Sequence, residues 1–92
     1  MPLRFPNHSR SYDTTRRAVR FWGYDSAMES SFFVTEEALR KLQPVPCRDE
    51  ADILKAFDAN REVICSAAAK AYGRERRGSY ELGPAEFGGH AA

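Results

Sequence analysis

One basic residue, Arg61, interrupts an otherwise apolar helical pattern in the second half of this sequence. At ~100° per residue, the apolar residues around it fall on one side of a helix. They are Ile53, Phe57, Ile64, Ala68 and Tyr72. A guanidinium buried on that side must find an acceptor, because an uncompensated buried charge is strongly destabilising. Arg61 therefore points to a specific carboxylate elsewhere in the fold or to a bound anion.

The sequence leaves three interpretations of Arg61 open. In the first, it pairs with an acidic side chain of a sheet or turn, with Glu29 the first candidate and Asp13 or Asp25 behind it. In the second, Arg61 and Asn60 hold a small anionic ligand through bidentate hydrogen bonds, which would make the chain an anion-responsive regulator. In the third, a break in the helix just before Arg61 turns the side chain to solvent.

Capping residues and periodicity predict the helices that position Arg61. Thr35 is a predicted N-cap for a short helix over 36–42. Asp49 is a second predicted N-cap, and it opens one long amphipathic helix that runs to about residue 72. Both helices are expected to pack on the same face of a sheet.

Four segments are rich in residues that favour β-structure. They are 3–5, 18–24, 27–34 and 79–82. The first three predict consecutive antiparallel strands joined by turns. The fold class is therefore α+β, an antiparallel meander of three to four strands with a short helix and one long amphipathic helix on one face. The chain forms a single domain over residues 1–84, followed by a Gly/Ala tail over 85–92.

The loop between the second and third strands decides which side chains share a face. An even loop places Val19 and Phe21 with Phe32, whereas an odd loop would mix them with Glu29. We therefore predict the even loop. Its consequence is a second face with a mixed aromatic and charged composition, made of Arg20, Trp22, Tyr24, Glu29, Ser31 and Phe33.

Clustered Trp, Tyr and Arg side chains are typical of the centre of a protein interface. The flank of the first strand, the short helix or Phe87 of the tail would cover this face in a monomer. Otherwise a second copy of the chain or an unidentified protein partner would cover it. The composition favours a non-catalytic binding or assembly module that forms a homodimer.

Nucleic-acid binding is the alternative function, with bases stacked on Trp22, Tyr24 or Phe33. It is disfavoured because 14 Lys and Arg residues against 13 Asp and Glu residues give a nearly neutral chain. Catalysis is also disfavoured, since the two histidines, His8 and His90, lie near the two ends. No cofactor or metal ion is expected.

The composition is typical of a globular protein, with 42% hydrophobic and 29% charged residues. No apolar stretch approaches the ~18 residues of a membrane span, and the N-terminus does not resemble a signal peptide. We therefore expect no membrane association and a cytoplasmic location, where Cys47 and Cys65 would remain thiols.

Short motifs spread along the chain resemble a small proteobacterial family of unknown function. They are Phe5-Pro6-Asn7-x-Ser9-Arg10-Ser11-Tyr12-Asp13, Val19-Arg20-Phe21-Trp22-Gly23, Ala56-Phe57-x-x-Asn60-Arg61 and Tyr80-Glu81-Leu82. The resemblance implies a β-meander followed by helices and a final strand, in a bacterial protein. It implies no activity, substrate or catalytic residue.

Overall fold

A four-stranded sheet forms the centre of the fold. The computed structural model of the chain describes residues 3–5, 9–42, 49–74 and 78–91. The strands lie in the order in which they occur in the sequence: β1 Ser11–Asp13, β2 Ala18–Asp25, β3 Met28–Thr35 and β4 Ser79–Leu82. The α+β class is confirmed. β1, β2 and β3 are antiparallel neighbours, but β4 runs parallel to β3. The final strand therefore does not continue the predicted meander, because a long helical connection returns the chain in the same direction.

The β2–β3 hairpin has the predicted even loop. Its two turn residues are Ser26 and Ala27, and Ser26 has a φ of 56°, in the left-handed region. This register places Val19 opposite Val34 and Phe21 opposite Phe32, so that these four apolar side chains share one face of the sheet.

The N-terminal segment differs from the prediction. Residues 3–5 form a single bridge to β2 rather than a strand, through two backbone hydrogen bonds of 2.8 Å between Arg4 and Tyr24. The first strand is β1 instead, which lies between the segments predicted as the first and second strands. The prolines at positions 2 and 6 of the sequence have no N–H to donate, which limits how far a ladder through this segment can extend.

The described residues between β3 and β4 form three α-helices: α1 Glu36–Leu42, α2 Glu50–Ala59 and α3 Arg61–Arg74. The predicted caps are confirmed, since Thr35 Oγ1 accepts from the N–H of Ala38 at 3.1 Å and Asp49 Oδ1 accepts from that of Asp52 at 2.9 Å. No helix within the described ranges is both long and apolar enough to cross a bilayer.

The prediction of one long helix from residue 49 to about 72 is wrong, because the helix ends at Ala59. The N–H of Asn60 binds the carbonyls of both Ala56 and Phe57, at 3.2 and 3.1 Å, and its side-chain amide donates to Ala56 O at 2.9 Å. An asparagine side chain that bonds nearby backbone in this way competes with continuation of the helix. Asn60 O then accepts from the N–H of Ile64 at 3.0 Å, which starts α3.

The core lies between the helices and one face of the sheet. Its largest fully buried side chains are Phe21, Phe32, Phe57, Phe87, Leu39, Ile64, Leu82, Val19 and Val34. Phe87 comes from a 3-10 helix, Pro84–Ala91, that packs along α1. Most of the segment predicted as a tail is thus part of the fold, because the Phe87 ring is buried among the helices.

Gly23 on β2 allows the N-terminal segment to lie close to the sheet. A Cβ atom at this position would come within 2.8 Å of Phe5 Cε2 and 3.2 Å of Leu3 Cγ. We expect Gly23→Ala to lower the free energy of unfolding by about 1–3 kcal/mol, because overpacking forces these side chains to move. Urea unfolding measures the change. Gly73→Ala is the control, since among the described residues nothing beyond the adjoining residues and the backbone of its own helix comes within 4 Å of a Cβ there, and alanine favours a helix. Equal stability of the two variants would contradict the close approach at Gly23.

Candidate binding face

The face of the sheet opposite the helices carries the residues that the sequence singled out. We call it the Trp22 face and define it by three cross-strand pairs of β2 and β3: Arg20 with Phe33, Trp22 with Ser31, and Tyr24 with Glu29. Directly opposed residues in an antiparallel pair share a face of the sheet. The even loop therefore brings all of the predicted interface residues together.

Arginine side chains cover the aromatic rings of the Trp22 face. The guanidinium carbon of Arg20 lies 5.1 Å from the Trp22 ring centroid and 5.6 Å from that of Phe33. Arg20 Nη2 also donates to Ser31 Oγ at 3.1 Å. The guanidinium carbon of Arg16 lies 4.2 Å from the Phe33 centroid, in a cation–π arrangement. The contact of Arg16 with Phe33 depends on the turn between β1 and β2, whose geometry the strand pattern does not specify.

Exposure on this face differs from residue to residue. Phe33 is 6% exposed, under the two guanidinium groups. Trp22 and Tyr24 are half-buried, whereas Arg20 and Glu29 are exposed. Phe87, one of the three elements considered as a cover for this face, does not cover it, because that ring belongs to the core on the other side of the sheet.

Polar groups lie on both sides of the aromatic centre. Tyr24 OH donates to Glu29 Oε2 at 2.8 Å. Arg4 lies opposite Tyr24, and Glu81 of β4 lies opposite Phe33. The face therefore combines half-buried aromatic rings with charges of both signs.

Arg61 lies on the helical side of the sheet, as the first residue of α3. It is half-buried, and its guanidinium carbon lies 5.6 Å from the ring centroid of Phe57. Of the acidic partners that the sequence left open for Arg61, the first candidate, Glu29, is excluded because it lies on the opposite face of the sheet. The side-chain amide of Asn60 donates to the end of α2. An anion site at Arg61 stays a prediction.

A second polar cluster lies around Glu36, at the start of α1. Glu36 is 7% exposed. Tyr12 OH donates to Glu36 Oε2, while Arg40 Nη2 and Arg17 Nη2 lie 3.2 and 3.5 Å from Oε1. The hydrogen bond to Glu36 is the largest cause that raises the pKa of Tyr12. The cluster joins β1, the following turn and α1.

Cys65 is a free cysteine that lies half-buried on α3. Burial raises the pKa of the Cys65 thiol, while the charge of Arg61 acts in the opposite direction. A thiol with a raised pKa is a weak nucleophile. Within the residues that the structure describes, no three His, Cys, Asp or Glu side chains come together as a metal site. His8 and Cys47 lie outside the described residues.

Comparison with known protein families identifies the chain. The family model described as "Protein of unknown function (DUF1488)" matches residues 3–82. The chain belongs to the DUF1488 family. The predicted membership of a family of unknown function is thereby confirmed. A crystal structure of a DUF1488 protein of unknown function from Shewanella loihica PV-4 has a TM-score of 0.78 and 17% sequence identity to this chain. The match covers 87% of this chain and 90% of the Shewanella chain, and at this identity it shows a shared fold. A search of curated proteins found no match.

Proposed function

We propose that this DUF1488 protein is a non-catalytic assembly module of the cytoplasm, and that it binds a second copy of itself through the Trp22 face. The observation that carries the proposal is the pair of half-buried rings, Trp22 and Tyr24, beside an exposed Arg20 on a sheet face opposite the core. Tryptophan, tyrosine and arginine are the residues most enriched at binding hot spots.

The arrangement of the rings favours a protein partner over nucleic acid. Base stacking needs an open aromatic face. The Phe33 ring is 6% exposed and lies beneath Arg16 and Arg20. A protein surface can instead extend the cation–π contacts already present and bury the remaining area of Trp22.

Sedimentation velocity over a range of protein concentrations tests the proposal. We expect a monomer–dimer equilibrium that Trp22→Ala weakens by about 30-fold, which corresponds to the ~2 kcal/mol of a typical hot spot. Val63→Ala is the control, because Val63 is an exposed apolar residue on α3. We expect that variant to associate as the wild type does.

Two results would overturn the proposal. One is a wild-type protein that stays monomeric at every concentration, and the other is a dimer that Trp22→Ala leaves intact. A gel shift with single-stranded RNA or DNA at low salt, lost in Trp22→Ala, would favour the nucleic-acid alternative instead.

A further inference from the structure

A cavity of about 420 Å³ lies between the turn after β1, the start of α1 and β4. Its volume is within the range of small-molecule sites, but its walls are charged rather than apolar. Six charged side chains line it: Arg16, Arg17, Arg40, Glu36, Glu37 and Glu81. Guanidinium and carboxylate groups therefore face one space, and a ligand for this cavity must satisfy both.

The buried carboxylate of Glu36 positions two of the guanidinium groups. Arg40 Nη2 and Arg17 Nη2 lie 3.2 and 3.5 Å from Glu36 Oε1, so this contact uses one nitrogen of each arginine. The φ of Arg17 is 54°, a conformation that a non-glycine residue keeps only where its surroundings fix it. The Arg17 carbonyl accepts from the Glu36 N–H at 3.0 Å, which supplies part of that support. The remaining guanidinium N–H groups are left to bind an anionic group.

The other three charged groups of the cavity have no ionic partner in the part of the chain that the structure describes. The Arg16 guanidinium lies over the Phe33 ring and pairs with no carboxylate, and Glu37 and Glu81 pair with no cation. Glu81 is the β4 neighbour of Phe33, so it lies next to the residue that Arg16 covers. Charges of both signs thus remain to be neutralised around the cavity.

We propose that this cavity binds a zwitterionic ligand, a free α-amino acid, in addition to the association proposed above. The carboxylate of the ligand accepts hydrogen bonds from Arg16 and Arg17, because a planar guanidinium matches a carboxylate. The ammonium group of the ligand lies by Glu37 and Glu81. A ligand that is only an anion would be repelled by these two glutamates, and one that is only a cation would be repelled by the arginines. A carboxylate and an ammonium group in one molecule satisfy both sets of charges.

Thermal unfolding of the full chain with each of the common L-amino acids, at millimolar concentration, tests for the ligand. A ligand that binds the folded state raises the melting temperature, by about 5–10 °C at a concentration about ten times its dissociation constant. We expect at least one amino acid to do so. Its N-acetyl and amide derivatives each lack one of the two charges, so calorimetry should show them to bind at least about tenfold more weakly.

Glu81→Gln distinguishes a zwitterion site from a simple anion site. At a zwitterion site, this variant should weaken binding of the amino acid about tenfold. It should also reduce the preference over the N-acetyl derivative to about threefold, because only Glu37 then remains for the ammonium group. At an anion site, it would instead tighten the binding of both compounds. Glu62→Gln is the matched control, since Glu62 is exposed on α3 and does not line the cavity.

Three results would overturn this proposal. They are the absence of stabilisation by every L-amino acid, an N-acetyl derivative that binds as tightly as its parent, and tighter binding by Glu81→Gln. Far-UV circular dichroism confirms that each variant is folded. In all three cases a dimer that Trp22→Ala disrupts would leave the proposed function standing, because the cavity and the association are measured separately.

Discussion

Replacing Phe87 with alanine is expected to lower the free energy of unfolding by about 3–5 kcal/mol. Phe87 is 2% exposed and shares the core cluster with Ala38 and Leu39 of α1. The 3-10 helix that carries it packs along α1. Removing the ring leaves a cavity under α1 that the short surrounding elements can fill only in part. A domain of this size has a total stability of about 5–15 kcal/mol, so the variant loses a large share of it.

Urea unfolding followed by far-UV circular dichroism measures this loss. Met28→Ala is the control, because Met28 is a large apolar residue that is 69% exposed. We expect that variant to stay within about 0.5 kcal/mol of the wild type. If Phe87→Ala were no less stable than Met28→Ala, the segment from Pro84 to Ala91 would not belong to the cooperative fold.

The parts of the fold that could be predicted from the sequence are those that local physics determines. Alternation of apolar side chains in β2 and β3 determined both the even loop and the composition of the Trp22 face. Thr35 and Asp49 determined the helix starts, because their side chains accept from N–H groups only three residues away.

The features that the sequence did not predict depend on contacts between distant segments. The apolar residues of α2 and α3 fit the periodicity of one continuous helix. The helix propensity of asparagine is only slightly less favourable than that of other polar residues. Periodicity therefore could not reveal the break at Asn60. The direction of β4 depends on how three helices return the chain to the sheet. The burial of Phe87 depends on α1, which lies more than 40 positions earlier in the sequence.

The candidate site likewise combines features that follow from local sequence patterns with features that depend on contacts between distant segments. Alternation along two strands placed Trp22, Tyr24 and Glu29 together, but the cover of Phe33 by Arg16 comes from a turn whose geometry the sequence does not specify. The apolar pattern around Arg61 indicated burial, whereas the structure places Arg61 half-buried at a helix start. The sequence could not show which acidic side chains Arg61 can reach, because that depends on the position of α3 relative to the sheet.

Removing the carboxylate of Glu36 should lower the free energy of unfolding by about 1.5–3 kcal/mol, the range for hydrogen bonds to charged groups. The Glu36 carboxylate accepts hydrogen bonds from three side chains, those of Tyr12, Arg17 and Arg40. Its backbone N–H also donates to Arg17 O at 3.0 Å, and Arg17 has a φ of 54°, which a large side chain rarely adopts. Urea unfolding of Glu36→Ala measures the effect. Glu37→Ala is the control, since Glu37 is exposed in the same helical turn.

The same contact predicts how stability depends on alkaline pH. The pKa of Tyr12 is raised above its ordinary value of 10.0, chiefly by its hydrogen bond to Glu36. The folded protein therefore holds the phenolic proton more tightly than the unfolded chain does. This contribution to stability is complete below pH ~10 and is lost as the pH rises through the folded-state pKa. Because phenylalanine has no proton to lose, the free energy of unfolding should fall less steeply above pH ~10 in Tyr12→Phe than in the wild type. Parallel pH profiles for the two proteins would show that Tyr12 and Glu36 are not coupled in solution.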